Sequence, residues 1–422
     1  MVNLSTKSAL VYDHGCFLCV AEVLARSFGK VFYYCPWKAG LPRSCKLMVG
    51  RGFPNVERVA NFYDHVAEAD CIVFPDVGDH DLQDFLRDHG YRVWGGGRAE
   101  KFELDRLGMR QLMKKLGLKT PVTDLVTGID NLHKVLSERD DLWVKTSAVR
   151  GDFETWHHDT YATSKTYLDR LRCELGGAAG DYGFVVEESI DPDSVEAGHD
   201  GWVVDGQFSS PCGLGYEIKS RSYVGKVVEY DELPGFLREE NEMFVPYFRK
   251  YKSRMTFSFE TKYFKDGSYI LLDPCCRSFS PPIDVFVELF RNYAECVWEG
   301  AGGVLIRPEA AAKYYVEAMI HTAAPCEQWY PVKFDAPEND RKWVKLRQPA
   351  IVDGQLYHVP FPAAELESIG SVSAIGDDLD DTIALCKERI AKTKGHGLHI
   401  EPAALDEAEA VIERGREYGI EF

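Results

Sequence analysis

The chain has 422 residues, 45% of them hydrophobic and 27% charged, and a formal net charge of −18. That length and ordinary globular composition predict roughly two to four domains. An acidic chain without a dense Lys/Arg block repels phosphate backbones, so direct nucleic-acid binding is not expected.

No apolar run reaches the ~18 residues of a membrane helix, so no membrane association is expected. The first residues lack the charged start and cleavage site of a secretory signal, so the expected compartment is the cytoplasm. Twelve cysteines in so long a chain do not make a disulfide scaffold. Cys16-x-x-Cys19 has redox or zinc spacing, but it sits in the apolar run Cys16-Phe17-Leu18-Cys19-Val20-Ala21. No second pair completes a zinc set, so it reads as a helix face.

From residue 8 to residue 98, strand and helix signals alternate. Strands are expected at 8–13, 30–35, 71–75 and 91–94, with helices at 16–28, 55–68 and 80–89. This pattern predicts βαβ units on a parallel sheet, whose ligands lie at the carboxyl ends of the strands. Asp13-His14-Gly15 follows the first strand without a G-x-G-x-x-G fingerprint, which disfavours a dinucleotide-dependent oxidoreductase.

A helical stretch follows at 99–119, closed by Gly117 and Pro121. Residues 120–190 hold a strand, a helix at 129–138, the strand Leu142–Thr146, a polar loop, a helix at 164–175 and a strand at 183–188. Residues 195–310 are richer in strands, with a hairpin predicted across Lys265-Asp266-Gly267. The remainder returns to mixed α/β and ends in a charged helix at 402–418.

Three features carry chemistry. Lys145 lies inside an apolar strand, where an ammonium needs a partner or a cleft, and phosphate is one such partner. A lysine on the exposed face of an edge strand is the plainer alternative. Glu187-Glu188-Ser189-Ile190 ends a strand, and backbone groups at such a hinge can read an adenine edge. Glu188 or Glu196 can then accept from ribose hydroxyls. The predicted hairpin sets Glu260 beside Asp273, two hard carboxylates suited to Mg²⁺, with Arg277 able to clamp a phosphoryl group. A surface ion-pair cluster is the alternative there.

In this order the motifs resemble the ATP-grasp superfamily, and within it phosphoribosylamine–glycine ligases. The stretches Trp94-Gly95-Gly96-Gly97, Leu116-Gly117-Leu118-Lys119-Thr120-Pro121, Val144-Lys145 and Phe184-Val185-Val186-Glu187-Glu188-Ser189 carry the likeness. Asp273-x-Cys275-x-Arg277 stands where that family has Glu-x-Asn-x-Arg. Gly370 to Leu379 resembles its C-terminal domain.

The resemblance implies an α/β fold, with α+β character in the central lobe. A pre-ATP-grasp βαβ domain would span 1–98. A two-lobed ATP-grasp domain would span 99–310, with lobes at about 120–190 and 191–310, and a small α/β domain would span 311–422. It also implies ATP and Mg²⁺ as cofactors, and small-molecule carboxylate and amine substrates joined through an acyl phosphate. Arg106, Lys145, Glu187, Glu188, Ile190 and Glu196 would bind the nucleotide. Glu260 and Asp273 would hold the metal, and Arg277 and Arg150 would act in catalysis. Residues 150–158 would form a lid. A homodimer is left open. Cys275 in place of Asn keeps a second reading in view: a nucleotide-binding regulatory or scaffold protein without turnover.

Overall fold

The computed structural model describes residues 2–36, 48–146, 155–191, 193–322, 328–358 and 368–422. The first unit comprises β1 (Ser8–Tyr12), α1 (Leu18–Leu24), β2 (Lys30–Tyr34), β3 (Val56–Arg58), β4 (Cys71–Val73), α2 (His80–Asp88) and β5 (Val93–Trp94). These strands form a parallel sheet in the order β3-β2-β1-β4-β5. Ala9, Leu10 and Val11 have no exposed surface, as strands covered on both faces require.

The helix expected at 55–68 is not formed. Asn55 takes a left-handed backbone, φ +58°, and launches β3 onto the edge of β2. Only a 3₁₀ turn follows, at Tyr63–Glu68, with the Asn61 side chain accepting from the Tyr63 amide. Helix α1 is also shorter than expected. It begins after Cys16 and buries Cys19, whose thiol pKa burial pushes well above its ordinary value. A thiol kept neutral this way fits the core reading for Cys19, whereas Cys16 precedes the helix and is half-buried.

Next come α3 (Lys101–Leu104) and α4 (Arg106–Leu116), then β6 (Thr123–Thr127), α5 (Ile129–Glu138), β7 (Leu142–Thr146), β8 (Thr155–His158), α6 (Tyr161–Leu175) and β9 (Gly183–Glu188). The strands pair antiparallel as β6-β9-β7-β8. Leu132, Leu136, Leu168 and Leu171 of the helices pack on Val144, Phe184 and Val186. Alternation along the strands therefore turns Lys145 and Glu187 to the opposite face.

The remaining elements are β10 (Val195–Val204), β11 (Gln207–Phe208), β12 (Cys212–Ile218), β13 (Ser222–Val228), α7 (Gly235–Tyr251), β14 (Arg254–Tyr263), β15 (Tyr269–Cys275), α8 (Ile283–Leu289), α9 (Tyr293–Ala301), β16 (Tyr314–Thr322), β17 (Tyr330–Phe334), β18 (Val344–Leu346), β19 (Pro349–Val352), β20 (Gln355–His358), β21 (Gly370–Gly376), α10 (Leu379–Lys392), β22 (Thr393–Gly395), β23 (Leu398–His399) and α11 (Ala404–Glu417).

A large antiparallel sheet runs β15-β14-β10-β12-β13-β16-β21-β18. Because β13 pairs with β16, this sheet passes through both the expected central lobe and the expected C-terminal domain. Its centre is kept thin by glycines. A Cβ at Gly225 would lie 2.0 Å from the Tyr315 ring, and one at Gly215 would lie 2.2 Å from the Tyr223 hydroxyl. Both tyrosines lie over the strands and donate to the buried carboxylate of Asp200. A four-stranded sheet, β19-β20-β17-β22, stands beside it.

A second set of charges ties the first unit to the end of the chain. Lys345, 3% exposed, sits 3.1 Å from Glu22 of α1 and 2.7 Å from Glu288 of α8. Arg26 holds Glu288 through two hydrogen bonds of 2.6 and 2.7 Å, and Arg341 donates to Glu22 at 2.6 Å.

Candidate nucleotide and metal site

The site forms where the face of the small sheet that carries Lys145 meets the end of the hairpin β14–β15. Helix α4 starts at the N-cap Asp105, which accepts from the Gly108 amide, and stops at Gly117 with φ +77°. Between these caps it projects Arg110, buried with Met109 and Met113. The Arg110 Nε donates to Glu187 at 2.6 Å, its Nη1 to the Leu272 carbonyl, and its Nη2 lies 3.3 Å from Asp273. The Lys145 ammonium completes the ring, 2.6 Å from Asp273 and 3.1 Å from Glu187.

Two cations and two carboxylates thus join four elements, α4, β7, β9 and β15. Burial alone would raise the Asp273 carboxyl pKa, but Lys145, Arg110 and Arg106 hold it well below the usual carboxylate range. Arg106 itself donates to the Thr146 carbonyl at 2.9 Å, at the end of β7.

A one-residue irregularity decides which side chains face each other. Tyr263 pairs with Tyr269, Lys262 with Ile270 and Thr261 with Leu271, but Glu260 pairs with Asp273. Leu272 is the extra residue of a β-bulge. Regular pairing would set Leu272 opposite Glu260 and turn Asp273 to the other face, toward Phe257 and Phe259. The bulge brings the carboxylates together.

Further along this face lie Glu217 and Glu196. Glu196 pairs with Lys262 at 2.8 Å, and Lys219 stands 3.7 Å from Glu217. Burial first, and the neighbouring Glu260 and Glu196 next, push the Glu217 carboxyl up to about 7 against the pull of Lys219. The Glu260 carboxyl is raised by burial and by Glu196 and Asp273, with Lys219 opposing. Crowded carboxylates of this kind favour an added cation. Among the described residues no group of three or more His, Cys, Asp or Glu side chains is arranged to hold a metal. Two carboxylates suffice for Mg²⁺, which completes its shell with water and phosphate oxygens.

The other expected site residues are placed as follows. Arg277 is engaged by Glu103 of α3 at 2.8 Å, and Asp76 lies 3.9 Å away. Cys275 lies two residues beyond Asp273 on the same face, paired with Ser258. Glu188 is exposed and bonds Arg139 at 3.1 Å. Ile190 is half-buried just beyond β9. Arg150 and most of the expected lid lie outside the described residues. Sequence reasoning missed Arg110, Glu103 and Glu217. Arg110 had a signal: a charge three residues from both Leu107 and Met113, on the apolar stripe of a helix.

No protein-family model and no curated protein sequence matches the chain. Solved structures do. Phosphoribosylamine–glycine ligase from Thermotoga maritima superposes with a TM-score of 0.65 at 15% identity, covering 93% of this chain and 98% of the other. The biotin carboxylase domain of 2-oxoglutarate carboxylase from Hydrogenobacter thermophilus reaches 0.67 at 11% identity, covering 96% and 98%. It was solved as a dimer with ADP, magnesium and bicarbonate. N5-carboxyaminoimidazole ribonucleotide synthetase from Thermotoga maritima reaches 0.58 at 13% identity, covering 92% and 99%.

The chain has the ATP-grasp fold. The likeness extends over almost the whole length of each ATP-grasp neighbour.

Proposed function

We propose that the chain is an ATP- and Mg²⁺-dependent carboxylate–amine ligase. The observation that carries this reading is the convergence of buried Lys145 and Arg110 on Asp273, with Glu260 directly across the strand pair. The ATP-grasp fold supports it, since a neighbour of that fold holds ADP and magnesium.

In this reading Lys145 and Arg106 hold the α and β phosphates. The segment Glu187-Glu188-Ser189-Ile190 holds the adenine, and Glu188 or Glu196 the ribose. Glu260 and Asp273 hold Mg²⁺, which neutralises charge on the phosphates when bound. Arg277 and Arg150 are assigned to charge stabilisation at the transferred group.

ATP supplies the γ-phosphoryl group. A substrate carboxylate oxygen attacks it and ADP leaves. The amine nitrogen then attacks the acyl carbon, phosphate leaves, and the amine proton passes to a base. With the α phosphate anchored by Lys145 and Arg106, attack at that phosphorus is disfavoured. The expected products are therefore ADP and phosphate. Incubation with ATP, Mg²⁺ and a pool of small acids and amines, followed by chromatography of the nucleotides, checks this. AMP as the main product overturns the mechanism.

A second reading, nucleotide binding without turnover, is favoured by Cys275, because sulfur is a poor partner for a hard cation. Absence of hydrolysis under every condition, with ATP still bound, would establish it.

Lys145→Ala is expected to weaken nucleotide binding by about 10–100-fold, the equivalent of ~1.5–3 kcal/mol for a charge-assisted contact. Calorimetry on a folded variant with unchanged affinity removes Lys145 from the site.

A further inference from the structure

Behind the hairpin that carries Glu260 and Asp273 lies a carboxyl group that the ligase chemistry does not use. Glu240 of α7 has no exposed surface. Phe244 and Phe248 of the same helix pack with Phe257 and Phe259 of β14. A carboxyl is costly to keep beside such a cluster unless it is held. Burial pushes its pKa up to about 8. Its Oε1 has no hydrogen-bond partner among the described residues. Its Oε2 accepts the Thr261 hydroxyl at 2.6 Å.

Thr261 is wholly buried and directly follows Glu260. The register shift of the hairpin falls between these two residues. On the partner strand the extra residue, Leu272, has its carbonyl gripped by Arg110. The shift is therefore held on both strands, by Arg110 at Leu272 and by Glu240 at Thr261.

We propose that Glu240 is a positioning residue for the divalent-cation site. Through Thr261 it fixes the strand register that sets Glu260 opposite Asp273. A slip of one residue would preserve most ladder hydrogen bonds yet exchange Asp273 for Leu272 beside Glu260. Local propensity does not forbid that slip, so a specific anchor is needed. Identifying the cation as Mg²⁺ rests on the ligase reading.

The test uses Mn²⁺ as the probe, counted as free ion by electron paramagnetic resonance in the presence of ADP. Glu240→Leu and Thr261→Val are each expected to weaken Mn²⁺ binding about 10–100-fold, the range for supports of a metal ligand. Affinity for ADP without metal should stay within twofold. Glu240→Gln keeps the size and a group that can bond Thr261, and should restore near-native Mn²⁺ affinity. The double variant Glu240→Leu/Thr261→Val should be no weaker than either single one, since both act through the same bond. Thr261→Val keeps the side-chain shape, so it decides the matter if Glu240→Leu does not fold. Native Mn²⁺ affinity in folded Thr261→Val overturns the proposal while leaving the ligase reading intact. Failure of the unmutated protein to bind Mn²⁺ overturns both.

Discussion

Asp273→Asn is expected to lower Mg²⁺-dependent turnover on the order of 100-fold or more while sparing nucleotide binding. The substitution keeps the shape of the side chain and removes its charge. In the native protein Lys145 and Arg110 keep Asp273 ionised, so a carboxylate is present at every pH near neutrality. An amide oxygen is a weaker ligand for a hard cation. The same change leaves Lys145 and Arg110 with Glu187 as their remaining anionic partner. The cleft becomes more positive, and ADP measured without metal should bind as well as before or better. Steady-state kinetics across a magnesium titration, paired with calorimetry of ADP, separate the two effects. Near-native turnover at ordinary magnesium concentrations would place Asp273 outside the metal site.

The largest expected effect on stability belongs to Lys345. Its ammonium lies between Glu22 and Glu288, and none of the three is more than one-tenth exposed at the side chain. Lys345→Ala leaves two buried carboxylates facing each other, with Arg26 and Arg341 at the outer edge. Breaking a buried pair from one side costs about 3–5 kcal/mol.

The effect has a pH signature. Burial would raise the Glu288 carboxyl, but Lys345 and Arg26 bring it down to about 2 from an ordinary 4.5. A folded-state pKa below the unfolded one stabilises the protein above pH 4.5, and this contribution is lost as pH falls toward 2. Removing Lys345 removes much of that depression. The stability gap between native and Lys345→Ala proteins should therefore be full at pH 6–7 and shrink as pH falls through 4. Urea melts at several pH values measure it. A gap that does not change with pH would mean that packing, not charge, accounts for the loss.

The parallel sheet was legible because Ala9-Leu10-Val11 and Cys71-Ile72-Val73 are continuous apolar runs bounded by polar turns. Helix α5 was legible at both ends from the 3.6-residue period of Ile129, Leu132 and Leu136. The segment 55–68 was misread because its apolar residues also fit a helical period. The pairing that overrules this, Val56 to Val31 on β2, is non-local.

At the site, Lys145 stood out as a charge inside an apolar strand and Asp273 as one at the end of another. Arg110 was missed among the helical residues around it, although its spacing within the apolar stripe was a usable signal. The bulge at Leu272 could not be read at all. The hairpin Met255–Asp273 shows the same residues in either register, and the choice is made by Arg110 and Glu240, 162 and 32 positions away from Leu272 in sequence. Arg277 was placed at the phosphoryl group from its position just past Asp273, and the fold gives it Glu103 as a partner.

The ring of Arg110, Lys145, Glu187 and Asp273 is formally neutral, and that has a thermodynamic consequence for how ligands enter. Phosphate groups that recruit Lys145 must draw it from Asp273, leaving a carboxylate without its nearest cation. A divalent ion bound at Asp273 removes that debt, and the released lysine in turn favours the phosphates. Nucleotide and metal are then linked: each tightens the other by the same factor, whichever binds first. Free phosphate, arriving without a cation, gains no such help. The protein's own carboxylates thus act as internal competitors that screen out simple anions and favour the metal–nucleotide pair.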